Sequence, residues 1–360
     1  MKYSLNLFSK LIIPSISLIL PNLCQATTSP DNKPLRKFIA HRGVDLKHTI
    51  AGENSLEAIW LAKRAGFDAI ETDVRITKDD SIVVMHDPTL NRTCLNANGS
   101  EIDKPVEIKD LTWAELQNNY KLKADDAKHQ SKIPSLHTYL NECKRAGLLA
   151  FIEPKLVDST GNHYKRIIRM ADDIFGKGNY IVTSNNRANN IIRNVNHDTS
   201  TPLMGILYQS TYPEVKKLGN IIMAISATRI KPDEYAMYHL KAHEEGLLSE
   251  SHADKFQHFD MINQSPVDWV STDMLVPDYH GQGKKVKTGS YSKFGGLYLT
   301  FDLQGEAEVK LGKQKFKASS NGKTRKIQHQ VALYNETPEF DITPIGDSKV
   351  SNVEYLQVEY

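Results

Sequence analysis

Residues Ile70–Thr89 read IETDVRITKDDSIVVMHDPT. Val74, Ile76, Ile82, Val83, Val84 and Met85 favour extended chain, and the two apolar runs predict neighbouring strands. Glu71, Asp73 and His86 close those runs, at positions where core packing has no use for a carboxylate or an imidazole. Working outward, short apolar runs alternate with longer helical patterns from Lys37 to about Asp273, the rhythm of βα units on a parallel sheet. Eight runs read as strands: FIAHR, FDAIETDV, IVVMHD, LLAFIEPK, YIVTSN, LMGILY, IMAISATRI and WVSTD. SLEAIWLAKRAG and PSLHTYLNECKRAG between them carry apolar residues every three or four positions and end in glycine. This predicts a (β/α)8 barrel over residues 37–280, with an open doubly wound sheet as the alternative.

After Pro277 the texture changes. A Gly- and Lys-rich linker leads into alternating runs such as GLYLTFDLQ, AEVKLG and KIQHQVALY, separated by turn pairs like Asn321-Gly322. These predict a small all-β, sandwich-like module over residues 290–360. Gly281 to Lys326 holds eleven Lys or Arg against Asp302, Glu306 and Glu308. Such a basic face suits contact with an anionic surface or envelope, or steering of anionic substrates; a lysine-rich sheet edge that deters aggregation is the plainer reading.

At the other end, Lys2 and Lys10 flank the apolar run LIIPSISLIL, followed by small residues around Ala26. The run is too short to span a bilayer, so residues 1–26 read as a cleaved signal peptide and the protein as periplasmic or secreted. Loss of Lys2 and Lys10 lowers the formal charge from +2 to zero, which gives no reason to expect a nucleic-acid partner. Cys94 and Cys143 remain, as a disulfide or as buried thiols. Zinc-type Cys/His spacings and nucleotide-binding glycine loops are lacking.

The polar residues fall into place on the barrel plan. His41 and Arg42 end the first strand, Glu71 and Asp73 the second, His86 the third, and Glu153 and Lys155 the fourth. All then sit at the carboxyl ends of neighbouring strands, the face where such barrels carry active sites. Glu71 and Asp73 are two apart and leave one face of their strand, as do Glu153 and Lys155. Three converging carboxylates repel unless a cation neutralises them, and oxygen-only ligation favours Ca²⁺ or Mg²⁺. Arg42 and Lys155 are then free to hold an anion, with a histidine on each side for proton transfer: the equipment for cleaving a phosphodiester.

AHRG, GENSLEAI, GFDAIETDVRITKDDSIVVMHDPTLNRT, IPSL and FIEPK, in this order and spacing, resemble the glycerophosphodiester phosphodiesterases. The resemblance covers Phe38 to Asp273. It implies a barrel in which His41 and His86 are the acid/base pair and Glu71, Asp73 and Glu153 bind the metal. It gives phosphate contacts to Arg42 and Lys155 and a supporting place to Glu53 and Asn54, where Gly52 and Ser55 replace the family's proline and threonine. It further implies release of glycerol 3-phosphate, by way of a cyclic phosphate formed by the neighbouring hydroxyl. The substrate would be a small glycerophosphodiester or a glycerol phosphate polymer. TSNNR and LLSESHADKF depart from the family's second half, which leaves the leaving group open. The rival readings are a phospholipase D-like enzyme acting on intact lipid and a non-catalytic envelope-binding protein. His48, His137, His163, His197 and His252 match no pattern and read as surface or helix residues.

Overall fold

The computed structural model describes residues 36–44, 50–275 and 283–360; the expected signal peptide lies outside them. In chain order the first strands are β1 (Lys37–His41), β2 (Ala69–Ile76), β3 (Ile82–Val84), β4 (Cys94–Asn96) and β5 (Tyr120–Leu122). Then follow β6 (Leu149–Pro154), β7 (Ile181–Thr183), β8 (Leu203–Ile206), β9 (Ile222–Ala224), β10 (Leu248–Ala253) and β11 (Trp269–Thr272). Parallel pairing runs β1-β11-β10-β9-β8-β7-β6-β2, and β1 pairs with β2 to close the ring. This is the expected eight-stranded parallel barrel.

Two of its strands differ from the sequence reading. IVVMHD is not a barrel strand: β3 runs antiparallel to β2 as the return arm of a hairpin. The physical reason is the connection, since Thr77–Ser81 is far too short for the crossover that a parallel neighbour needs. Asp80 turns it with φ 60°. The eighth barrel strand is instead β10, LSESHA, whose alternating Glu250 and His252 disguise it.

The helices follow their local chemistry. Ser55 caps Leu56–Arg64 by accepting from the Ala58 amide, and Ser135 caps Leu136–Ala146 in the same way from Thr138. Gly147 ends the latter in the left-handed region at φ 68°. Ile59, Leu61, Tyr139, Leu140 and Cys143 turn from these helices into the core that surrounds the barrel. Cys94 and Cys143 are separate buried thiols, not a disulfide.

The C-terminal strands are β12 (Lys284–Val286), β13 (Ser292–Leu311), β14 (Gln314–Ser319), β15 (Arg325–Glu336) and β16 (Phe340–Glu359). β13 pairs with β16 along its length, and with β15 and then β14 on its other side. Register shifts after Thr300 and Gln304 bend the sheet. It folds over so that Leu297, Leu299, Phe301, Val309, Leu311 and Leu333 enclose their own core, a sandwich-like arrangement. The opposite face does different work. Phe294, Tyr298, Ala332 and Val358 join the barrel's outer core, and the Tyr298 hydroxyl donates to the Leu275 carbonyl at 3.1 Å. Burying such an aromatic contributes roughly 1.5–3 kcal/mol. The sheet is therefore packed onto the barrel and is not a loosely tethered appendage.

Candidate active site

The site begins where β1 ends. After His41 the chain turns through Arg42 at φ 57° and Gly43 at φ 83°. A Cβ on Gly43 would lie 2.5 Å from Ala58 Cβ, so glycine answers both the backbone angle and the helix pressed against it. The turn aims the Arg42 side chain at Glu53 (Nη1 to Oε1, 3.3 Å) and Asp73 (Nε to Oδ2, 3.2 Å). Asn54, at φ 61°, donates to Asp73 Oδ2 at 3.2 Å and accepts from the Thr72 hydroxyl at 3.0 Å. A Cβ on Gly52 would meet the Lys123 carbonyl oxygen at 2.7 Å, which explains why no proline stands there.

β2 and β6 lie side by side with Asp73 opposite Glu153. Their spacing brings ligand oxygens of Glu71, Asp73 and Glu153 within 4.8 Å of one another. Glu71 Oε1 and Asp73 Oδ1 are buried without a hydrogen-bond partner. Burial first, and the neighbouring Asp73 second, push the Glu71 carboxyl up to about 8. Two orphaned carboxylate oxygens and a third acid within reach fit a hard divalent cation, which would supply the missing positive charge. Lys155 supplies part of that charge here: its Nζ donates to Glu153 at 2.7 Å and lies 3.5 Å from Asp73.

The two histidines border this cluster, each with one ring nitrogen tied to a carboxylate. His41 Nδ1 is 2.6 Å from Asp273, and its Nε2 is 3.9 Å from Glu71. Burial alone would depress its pKa, but the Asp273 bond and charge, helped by Glu71, carry it up to about 9. His86 Nδ1 is 2.6 Å from Asp87. There burial prevails, and the pKa falls below the ordinary histidine value. The two rings are thus pushed in opposite directions. His86 arrives on the hairpin: Arg75, from β2, donates to its carbonyl at 2.7 Å.

Every predicted site residue falls in this cluster, with Glu53 one step behind Arg42. Others went unread. Arg92 clamps Glu53 at 2.7 and 2.8 Å and Asp87 at 2.6 Å, so one guanidinium fixes the partners of both Arg42 and His86. Asp273 closes β11 just as the other site residues close their strands, and that strand-end rule could have found it. His252 is no surface residue; its ring packs edge-on against His41 with centroids 4.7 Å apart, on the strand the sequence reading missed. Burial, and then the charge of His41, press its pKa down to about 4. Beside Glu153 and Lys155 opens a cleft of about 700 Å³, rimmed by Val157, Asn185 and Tyr208.

Comparison with known proteins bears on the barrel as a whole. The model of the glycerophosphoryl diester phosphodiesterase family matches residues 41–273, from the first site histidine to its aspartate partner. Human glycerophosphodiester phosphodiesterase 1 is 34% identical over 122 residues, 32% of this chain and 33% of the human one. The glycerophosphodiester phosphodiesterase of Bacillus altitudinis is 38% identical over 95 residues, 26% of this chain and 32% of its own. The chain thus spans less than half the length of the curated relatives it matches. Among solved structures, a glycerophosphodiester phosphodiesterase from Parabacteroides distasonis superposes with TM-score 0.54 at 20% identity, covering 69% of this chain and 95% of that one. A phosphodiesterase from Oleispira antarctica, solved with its product sn-glycerol-3-phosphate, gives 0.53 at 19% identity, covering 66% and 93%. These similarities share the barrel fold. With its model matched across the barrel from β1 to the end of β11, the chain belongs to the glycerophosphoryl diester phosphodiesterase family.

Proposed function

We propose that the protein hydrolyses glycerophosphodiesters to glycerol 3-phosphate and an alcohol, with one divalent cation, Ca²⁺ or Mg²⁺, held by Glu71, Asp73 and Glu153. The observation that carries this reading is a pair of histidines, each tied through Nδ1 to an aspartate at 2.6 Å, bordering three crowded carboxylates, two of which keep a buried oxygen without a hydrogen bond. When bound, the cation would polarise the phosphoryl oxygens. Arg42 and Lys155 hold the non-bridging oxygens from the other side. Neutral His86, with its proton on the Asp87-facing nitrogen, accepts at Nε2 the proton of the hydroxyl next to the phosphate. Protonated His41 gives its Nε2 proton to the departing alkoxide. The cyclic phosphate so formed is opened by water with the two roles exchanged. Product-bound Oleispira antarctica phosphodiesterase supports glycerol 3-phosphate as the product class.

The test is release of glycerol 3-phosphate from glycerophosphocholine and glycerophosphoethanolamine by the purified protein, with and without chelator. Activity should vanish with chelator and return with Ca²⁺ or Mg²⁺; full turnover in chelator removes the cation from the mechanism.

A further inference from the structure

Beyond Asp273, on the side of the site away from Lys155, a cavity of about 510 Å³ separates the barrel end from the folded-over sheet. Ligand-sized pockets fall in this range. Its barrel wall includes Asp254, Lys255 and Asp273; its other wall, from β14 and β15, presents Lys317, Arg325, Lys326 and His329.

The charges do not cancel locally. Asp254 pairs with His258 at 3.0 Å, and Asp273 is taken by His41 at 2.6 Å. Lys317 is paired with Glu306 at 2.8 Å. Among the described residues, the exposed Arg325 and Lys326 side chains have no ion-pair partner. Both line a concave surface that ends at Asp273, the partner of His41.

Resting on the phosphodiesterase reading, we infer that this cavity is a subsite for a second anionic group, a phosphate carried by the leaving alcohol. A phosphodiester has two arms, and a cleft opens on each side of the catalytic cluster. The glycerol arm is short and carries no second phosphate, so a further phosphate belongs to the alcohol arm, and Asp273, bonded to His41 at the edge of the cluster, forms part of this wall. Arg325 and Lys326 then meet the next phosphate along. The preferred substrates are glycerophosphodiesters whose alcohol is itself phosphorylated, either a lipid-derived inositol phosphate or a short glycerol phosphate chain.

The experiment compares the full chain with the double variant Arg325→Ala/Lys326→Ala. A control, Lys315→Ala/Lys323→Ala, removes the same charge outside the cavity lining. Rates are measured on glycerophosphocholine, on glycerophosphoinositol phosphate and on a glycerol phosphate trimer. The cavity variant should lose about tenfold in kcat/KM on the phosphorylated substrates, mainly through KM, and stay within about twofold on glycerophosphocholine. The control should match the parent throughout. Whichever phosphorylated substrate suffers more identifies the source. An equal loss on all substrates, no loss, or the same loss in the control overturns the subsite. Should the parent cleave nothing, calorimetric titration with the trimer still decides. Binding weakened only in the cavity variant keeps the subsite and rejects the phosphodiesterase reading, whereas absent or unaltered binding rejects the subsite.

Discussion

At the scale of single residues, the two histidines of the cluster sit in different surroundings. At His41 the acids Asp273 and Glu71 outweigh burial and raise the pKa, whereas at His86 burial outweighs Asp73 and Asp87 and lowers it. The aspartates at Nδ1 hold each ring in one tautomer and leave Nε2 for the substrate. Replacing His41 with alanine should cut kcat on the order of a hundredfold or more. Asp273→Asn keeps the shape but removes the charge that holds the proton on His41. It should lower kcat less severely and move the alkaline limb of the pH–rate profile to lower pH. A profile that does not move would make Asp273 a purely structural neighbour.

At the scale of elements, the turns matter more than the strands they join. Gly43→Ala would force a Cβ against Ala58 at a backbone angle alanine rarely adopts. A destabilisation of about 1–3 kcal/mol is expected, read as a lowered denaturation midpoint, with weaker binding of phosphate because Arg42 is displaced. The elements also show what the sequence could reveal. Glu71, Asp73 and Glu153 were legible because a carboxylate at a strand end has no packing role. β3 was misread because an apolar run carries no sign of its direction; only the brevity of Thr77–Ser81 does. β10 was passed over because Glu250 and His252 break the apolar pattern of a strand. Arg92 stayed silent since its partners, Glu53 and Asp87, meet only in three dimensions.

For the whole molecule, buried acids set the response to pH. Burial and neighbouring acid raise Glu71 to about 8, and burial raises Glu250 likewise to about 8. Both bind protons in the folded state that the unfolded chain has released above its ordinary carboxylate range. His41, raised to about 9, also holds a proton that the unfolded chain gives up earlier. Below about 6.5 the depressed His86, His239 and His252 act with the opposite sign, so the decline in stability falls between about pH 6.5 and 9. Thermal unfolding of cation-free protein should show this decline. Added Ca²⁺ or Mg²⁺ should raise the midpoint more at pH 8 than at pH 5, because the cation competes with the proton at Glu71. An increment independent of pH would place the cation elsewhere.

The bond between His41 and Asp273 has one more consequence. It joins the first barrel strand to the residue that follows the last, across the line where the ring closes. During synthesis most of the cluster emerges early, yet His41 waits for a partner more than two hundred positions later. A half-made chain therefore has the carboxylates and an arginine but an imidazole still untethered. Catalytic competence becomes a certificate of completed folding, issued only when the two ends of the barrel have met.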